Sequence, residues 1–144
     1  MNIPTDVMIT RLIVALFIGA VIGIEREIRN SPAGLRTISL VTLGSTLFTL
    51  ASIEFAGPGV DVSRIAAQIV VGIGFLGAGV IFKLEDKVHG LTTAACLWVA
   101  AAIGLFVGIG AYTFSFVAAL LVVGMLWFGK YEKKLLPHDK PYRK

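Results

Sequence analysis

Five long apolar runs constrain this chain more than any other feature: Val7–Ile24, Leu35–Phe55, Ile65–Phe82, Leu91–Val107 and Ala111–Phe128. Each approaches the roughly 20 mostly apolar residues that a helix needs to cross a bilayer. Together they occupy most of the 144 residues, which leaves room for one domain. Apolar residues make up 56% of the chain and charged ones 15%, against about 45–50% and 25% in a soluble domain. The sequence therefore predicts an all-α fold, a polytopic membrane bundle of five transmembrane helices. Residues 1–130 form the membrane domain and 131–144 a short basic cytoplasmic tail.

The positions of the bases give an orientation. An odd number of spans puts the termini on opposite sides. One side then carries Arg11 and Arg64, and the other carries the remaining 11 of the 13 Lys and Arg. Basic loops stay in the cytoplasm, so the N-terminus is expected outside and the C-terminus inside, in a cell or inner membrane. Bases gathered at helix ends and in a tail are not a nucleic-acid signal, and no nucleic acid is expected as a partner. The first run is not expected to be a cleaved signal peptide: no base precedes it, and Glu25-Arg26-Glu27 follows it. Cys96 is the single cysteine, so there is no disulfide framework.

The most distinctive stretch is Gly72–Trp98, two small-residue arms around a charged turn. Gly72, Gly74, Gly77 and Gly79 lie in the first arm, and Ala94, Ala95 and Cys96 in the second. Lipid gives helices no hydrophobic drive to associate, so small residues mark close contacts. Stripes at a spacing of four recur in Arg11, Ala15, Gly19, Gly23 and Glu27, and in Thr92, Cys96, Ala100, Gly104 and Gly108. Gly19, Gly23, Gly72, Gly74, Gly77, Gly79 and Gly104 are accordingly read as helix-packing residues. A glycine-rich break in span three would instead expose carbonyls able to meet a cation. The GIGFLGAG pattern lacks a preceding strand and sits mid-membrane, so it is not a nucleotide loop.

Seven polar residues form the candidate functional cluster: Glu25, Arg26, Glu27, Arg36, Asp61, Arg64 and Gln68. Each has a structural reading beside the functional one. The Glu25–Glu27 group ends a helix, and Arg29 pairs with Glu25 one turn on. The sharper reading points Glu27 into the bundle, with Arg36 near enough for a carboxylate pair. Asp61 is a helix cap. Gln68, a turn inside the membrane, is a clamp between helices before it is a ligand. Arg11 either snorkels or pairs with Asp6 or Asp61. Thr42, Ser45, Thr46, Thr49 and Ser52 bond back to their own helix or across to another. His89 alone is no metal site, and the metal question stays open. Span five is bulky and peripheral, with Trp127 and Tyr131 at the membrane interface. A shift of 56 residues superposes Gly23 on Gly79, Gly34-Leu35 on Gly90-Leu91 and Thr37 on Thr93. This suggests a parallel repeat of helix pairs one–two and three–four.

Several motifs resemble those of the MgtC/SapB family of bacterial and archaeal membrane proteins. They are Gly23-Ile24-Glu25-Arg26-Glu27, AGLRT at 33–37 with Leu43-Gly44, Asp61 with Arg64-Ile65-Ala66-Ala67-Gln68, GIGFLGAGVI at 72–81, and GLTTAACLW at 90–98. The resemblance covers roughly residues 7–110. It implies a protein of adaptation to low magnesium, acting by regulating or binding other membrane proteins. It carries the seven polar positions over as functional. Position 92 is Thr here, where some members have Asn. Many members also carry a soluble C-terminal domain, and functions that need it are not expected of these 144 residues. The alternative is a small oligomeric ion channel or transporter for Mg²⁺ or another solute. No enzyme activity and no cofactor are expected. The partners expected are the lipid bilayer, other membrane proteins and a second copy in a homodimer or larger homo-oligomer.

Overall fold

The computed structural model describes residues 3–135, with side chains through Gly129. In chain order they form α1 (Thr5–Ile28), α2 (Leu35–Glu54), α3 (Ser63–Gly79), β1 (Phe82–Leu84), β2 (Lys87–His89), α4 (Leu91–Gly108) and α5 (Tyr112–Leu135). Helices α1, α2, α4 and α5 are long and apolar enough to cross a membrane. Helix α3 is apolar but has 17 residues. At 1.5 Å per residue that is about 26 Å, a little under the ~30 Å hydrocarbon core, and local thinning of the bilayer accommodates such a mismatch. Large apolar side chains point outward from every helix, among them Phe17, Phe48, Phe75, Trp98 and Met125.

The centre of the bundle is the contact between α2 and α4. They run parallel, because Ser45 meets Ala101 and Thr49 meets Gly108 further along both helices. The contact is backbone against backbone. A Cβ on Gly104 would stand 2.9 Å from Ser45 Cβ and closer still to the Thr42 carbonyl, and one on Gly108 would stand 2.5 Å from Thr49 Cβ. Helix α1 lies antiparallel along α2 beside α4, by the same device. A Cβ on Gly19 would stand 2.8 Å from Ser39 Cα, and one on Gly23 2.7 Å from Leu35 Cα. Ala15, Ile22, Ile38, Ala100 and Val107 fill the space between these three helices and are buried.

The other two helices are peripheral. Helix α5 rests on α1 and α4, with Phe114 tilted against Phe106 at 4.4 Å. Helix α3 packs mainly on α4 through Ile73 and Gly77, its buried residues. Gly72, Gly74 and Gly79 have no neighbouring atom within 4 Å of a Cβ position, and at Gly77 a Cβ would meet Ala94 Cβ at an ordinary contact distance of 3.7 Å. The helix runs unbroken to Gly79, and its glycines open no carbonyls.

Two connections carry more order than turns of charge alone suggest. Residues 82–89 form an antiparallel hairpin in register Phe82–His89, Lys83–Val88 and Leu84–Lys87, with Phe82 stacked on His89. Gly90 then enters α4 at φ 87°, where a Cβ would strike the Val80 carbonyl. Helix α5 continues to Leu135, so the basic tail expected from residue 131 begins within it. Residues 136–144 lie outside the described residues, as do the side chains of Tyr131 and of the tail's bases.

Alanine in an open helix position gains about 0.5–1 kcal/mol over glycine, whereas a methyl forced into a filled contact costs about 1–3 kcal/mol. Gly104→Ala is therefore expected to lower the thermal midpoint in detergent and Gly74→Ala to leave it unchanged or raise it. Equal shifts in a paired melting experiment would show that the α2–α4 contact is not tight.

Candidate functional site

The polar residues fall into three groups at three depths. The first gathers where α1 ends. Glu25 and Arg26 are both buried, at 6% and 9% exposure. Glu25 Oε1 accepts a hydrogen bond from Arg29 Nε at 3.2 Å. Glu25 Oε2 lies 3.2 Å from Arg26 Nε, but off the donor direction, so this contact is ionic and not a hydrogen bond. Arg26 Nη1 reaches Cys96 Sγ on α4 at 4.0 Å. Close by, the Ser31 and Thr93 hydroxyls share a hydrogen bond of 3.0 Å. These contacts tie the α1–α2 turn to the start of α4.

Glu27 does not point into the bundle. It is exposed, and its Oε2 accepts from the backbone N–H of Leu35 at 2.9 Å. It caps the first turn of α2, whose opening amides have no partner inside the helix. Gly34 lies directly beneath it, where a Cβ would push the Glu27 carboxylate off the Leu35 amide. Arg36 is exposed and makes no ion pair among the described residues. The inward acid is Glu25, two residues from the one expected.

The second group is a column of hydroxyls on α2, at mid-membrane. Ser45 Oγ donates to the Ala101 carbonyl at 2.6 Å. Thr46 Oγ1 shares its hydrogen between the Gly104 carbonyl at 2.7 Å and the Thr42 carbonyl at 3.0 Å. Thr42 and Thr49 bond back to Ile38 and Ser45 of their own helix. Both readings of these hydroxyls therefore hold, at different residues.

The third group lies at the opposite end. Arg11 reaches neither Asp6 nor Asp61, and its Nη1 donates to the Gly108 carbonyl at 2.6 Å, at the end of α4. It satisfies a terminal carbonyl there and places a cation at the negative end of the helix dipole. Asp61 Oδ1 accepts from the Ser63 N–H at 2.9 Å and the Ser63 hydroxyl at 2.7 Å. Those two bonds hold its carboxyl below the ordinary value of 3.8. The folded value is the lower one, so this cap is present above the ordinary range and lost as pH falls through the lowered value. Ser52 Oγ closes the α2–α3 turn onto the Val62 carbonyl at 2.6 Å.

Arg64 and Gln68 stand apart from all three groups. Both are exposed on α3, and neither side chain makes a hydrogen bond or ion pair among the described residues. They line a cavity of about 960 Å³ between α2 and α3, with Gly44, Phe48, Gly72 and Leu76. The cluster of seven is thus split. Glu25, Arg26 and Glu27 are together, with Arg36 nearby on α2 but unbonded. Asp61 is a cap, and Arg64 with Gln68 face a groove. The sequence assigns no contact to Ser31, and Gly44, which lines that groove, enters there only within a motif of the family resemblance. Neither lies in a small-residue stripe or a charged motif that would single it out.

The family model for the MgtC family matches residues 12–135. The chain belongs to the MgtC family. Among curated relatives, "Putative magnesium transporter YhiD" of Escherichia coli (strain K12) is 42% identical over 129 residues, 85% of this chain and 60% of that protein. "Protein MgtC" of Salmonella typhimurium (strain LT2) is 46% identical over 117 residues, 80% of this chain and 49% of that protein. "Protein MgtC" of Brucella abortus (strain 2308) is 45% identical over 111 residues, 77% of this chain and 46% of that protein. The chain spans about half the length of the curated relatives it matches. No solved structure matches it. Family membership and the apolar helices make it a multi-pass membrane protein.

Removing one partner of a buried ion pair strands the other and costs about 3–5 kcal/mol, whereas replacing both with apolar groups is often near neutral. Glu25→Ala is expected to destabilise by that order, and Glu25→Met with Arg26→Met to recover most of the loss. Chemical unfolding in mixed micelles measures both, and a double variant as unstable as the single one would discount the pair.

Proposed function

We propose that this MgtC-family chain serves magnesium handling as a regulator that docks on other membrane proteins, and that it does not carry the ion itself. The link to magnesium comes from its relatives, one of which carries the name "Putative magnesium transporter YhiD". The observation that carries the choice of regulator is the state of the hydroxyl column. A magnesium path needs oxygen ligands and room for the ion's waters. At mid-membrane the Ser45 and Thr46 hydroxyls donate to the Ala101 and Gly104 carbonyls inside a backbone-to-backbone contact, which occupies those carbonyls and leaves no room there for the ion's waters. The acids stand at the two ends, Glu25 and Glu27 at one, Glu54 and Asp61 at the other. Small-residue and apolar faces left open on α3 and α5 supply docking surface.

The transporter reading has one observation in its favour, the α2–α3 cavity with Gln68 on its wall. Magnesium uptake into proteoliposomes separates the two. The expected result is no uptake above empty liposomes, with the protein shown folded and inserted. Saturable uptake that falls in a Glu25→Gln variant would overturn the regulator reading.

The same proposal places the chain in the inner membrane as a homo-oligomer, with its N-terminus outside. In a Cys96→Ser background, a cysteine at Asp61 is expected to react with an impermeant maleimide added to intact cells or spheroplasts. A cysteine at Asp86, in the hairpin turn, is expected to react after lysis only. The reverse pattern would invert the topology.

A further inference from the structure

We infer that the groove between α2 and α3 is a binding site for an anionic phospholipid, whose phosphate sits on Arg64 and whose acyl chain runs down the groove. The cavity of about 960 Å³ is at the upper end of the size of ligand pockets. Its floor is apolar and its one charged lining residue, Arg64, is at one mouth. Arg64 is the second residue of α3, at one end of the apolar helix, from which its long side chain can extend to the phosphate layer, and Leu76 is twelve residues further along. Twelve residues of helix rise about 18 Å, and one leaflet of hydrocarbon is about 15 Å, half of the ~30 Å core. The groove therefore has the length of one acyl chain and a cation where the headgroup begins.

Two of its polar side chains, those of Arg64 and Gln68, are unspent, whereas Ser45 is bonded to the Ala101 carbonyl. The Arg64 guanidinium has no partner among the described residues, and the nearby acid, Asp61, is engaged by the Ser63 amide and hydroxyl. Gln68 is one turn below Arg64, exposed and unbonded. An amide at that depth needs a partner, because hydrocarbon offers none. A glycerol ester carbonyl one turn below the phosphate accepts from it. Gly44 and Gly72 face each other across the groove with nothing within 4 Å of a Cβ position. The two glycines leave a channel that side chains would fill. A partner helix would meet the same groove with a guanidinium at its end that no side chain hydrogen-bonds and that the nearby Asp61 carboxylate only partly offsets, so the charge favours a lipid phosphate over an apolar helix.

Native mass spectrometry of the purified protein in detergent, titrated with phosphatidylglycerol or phosphatidylcholine, tests this. The expected result is retention of one phosphatidylglycerol in preference to phosphatidylcholine by about fivefold, the factor carried by one basic side chain at a membrane surface. Arg64→Gln is expected to abolish the preference, and Arg36→Gln, exposed at the other end, to leave it. Gly72→Leu is expected to reduce retention of both lipids by blocking the chain. Since the Arg64 side chain makes no hydrogen bond or ion pair among the described residues and a Cβ at Gly72 meets no atom within 4 Å, the melting midpoints should stay near those of the parent and show that the variants are folded. Displacement by millimolar inorganic phosphate would move the site to the free anion and overturn the lipid reading. So would an absent preference in the parent, a preference retained in Arg64→Gln, or dimer peaks lost in Gly72→Leu with no change in lipid retention.

Discussion

The contact between α2 and α4 is the interaction on which the rest of the molecule rests. In a bilayer, burying leucine against leucine gains little, because the lipid tails are as apolar as the protein. Helices associate where their backbones approach closely and polar groups find partners. Gly104 and Gly108 remove side chains from one helix, and Ser45 and Thr46 of the other donate into the carbonyls so exposed. Neither half works alone. Bulkier residues on α4 would hold the hydroxyls out of reach, and a bare apolar α2 would leave the approach without hydrogen bonds. Once this pair is set, α1 can lie along α2 through Gly19 and Gly23. The Glu25–Arg26 pair then closes the end against α4.

Helical spans and charge asymmetry were legible because each is a sum over many residues, and no single contact decides it. The small-residue stripes were legible as a class, but not in their use. Gly19, Gly23 and Gly104 are filled contacts, whereas Gly72, Gly74 and Gly79 face open space, and nothing in a lone helix distinguishes the two. The placing of Glu27 failed for a geometric reason. A spacing of four advances about 40° beyond a full turn at each step. Taken from Ala15, Glu27 is about 120° round the helix, while Arg26 is about 20° round. The buried set of α1 follows 3.6 residues per turn, through Ala15, Ile18, Ile22 and Glu25. The four-residue stripe drifts off it within three turns.

The loops were harder for a different reason. A charged turn between two spans states only that water is near. It does not state that Phe82 and His89 stack across a hairpin, nor that Glu27 caps α2 over Gly34. These are pair properties between residues seven or eight apart, and no periodicity reports them. Asn30 at φ 52° and Gly90 at φ 87° are the local exceptions. Asn and Gly tolerate a left-handed backbone, so the sharp exits from α1 and into α4 are written in single residues.

The two sides of α2 differ in a way that bears on what this fold can do. Towards α1 and α4 the helix is locked by glycine contacts and hydroxyl bonds, and any rocking there would strip buried hydroxyls of their acceptors. Towards α3 it is separated over part of its length by a cavity, and the residues α3 buries fully are Ile73 and Gly77, with Ile69 partly buried on the core. Low local contact density is where proteins open first. A conformational change in this bundle would therefore be a movement of α3 with its hairpin about a fixed α1–α2–α4 unit. A ligand that binds one position of α3 better than another shifts it by that difference in affinity and by no more.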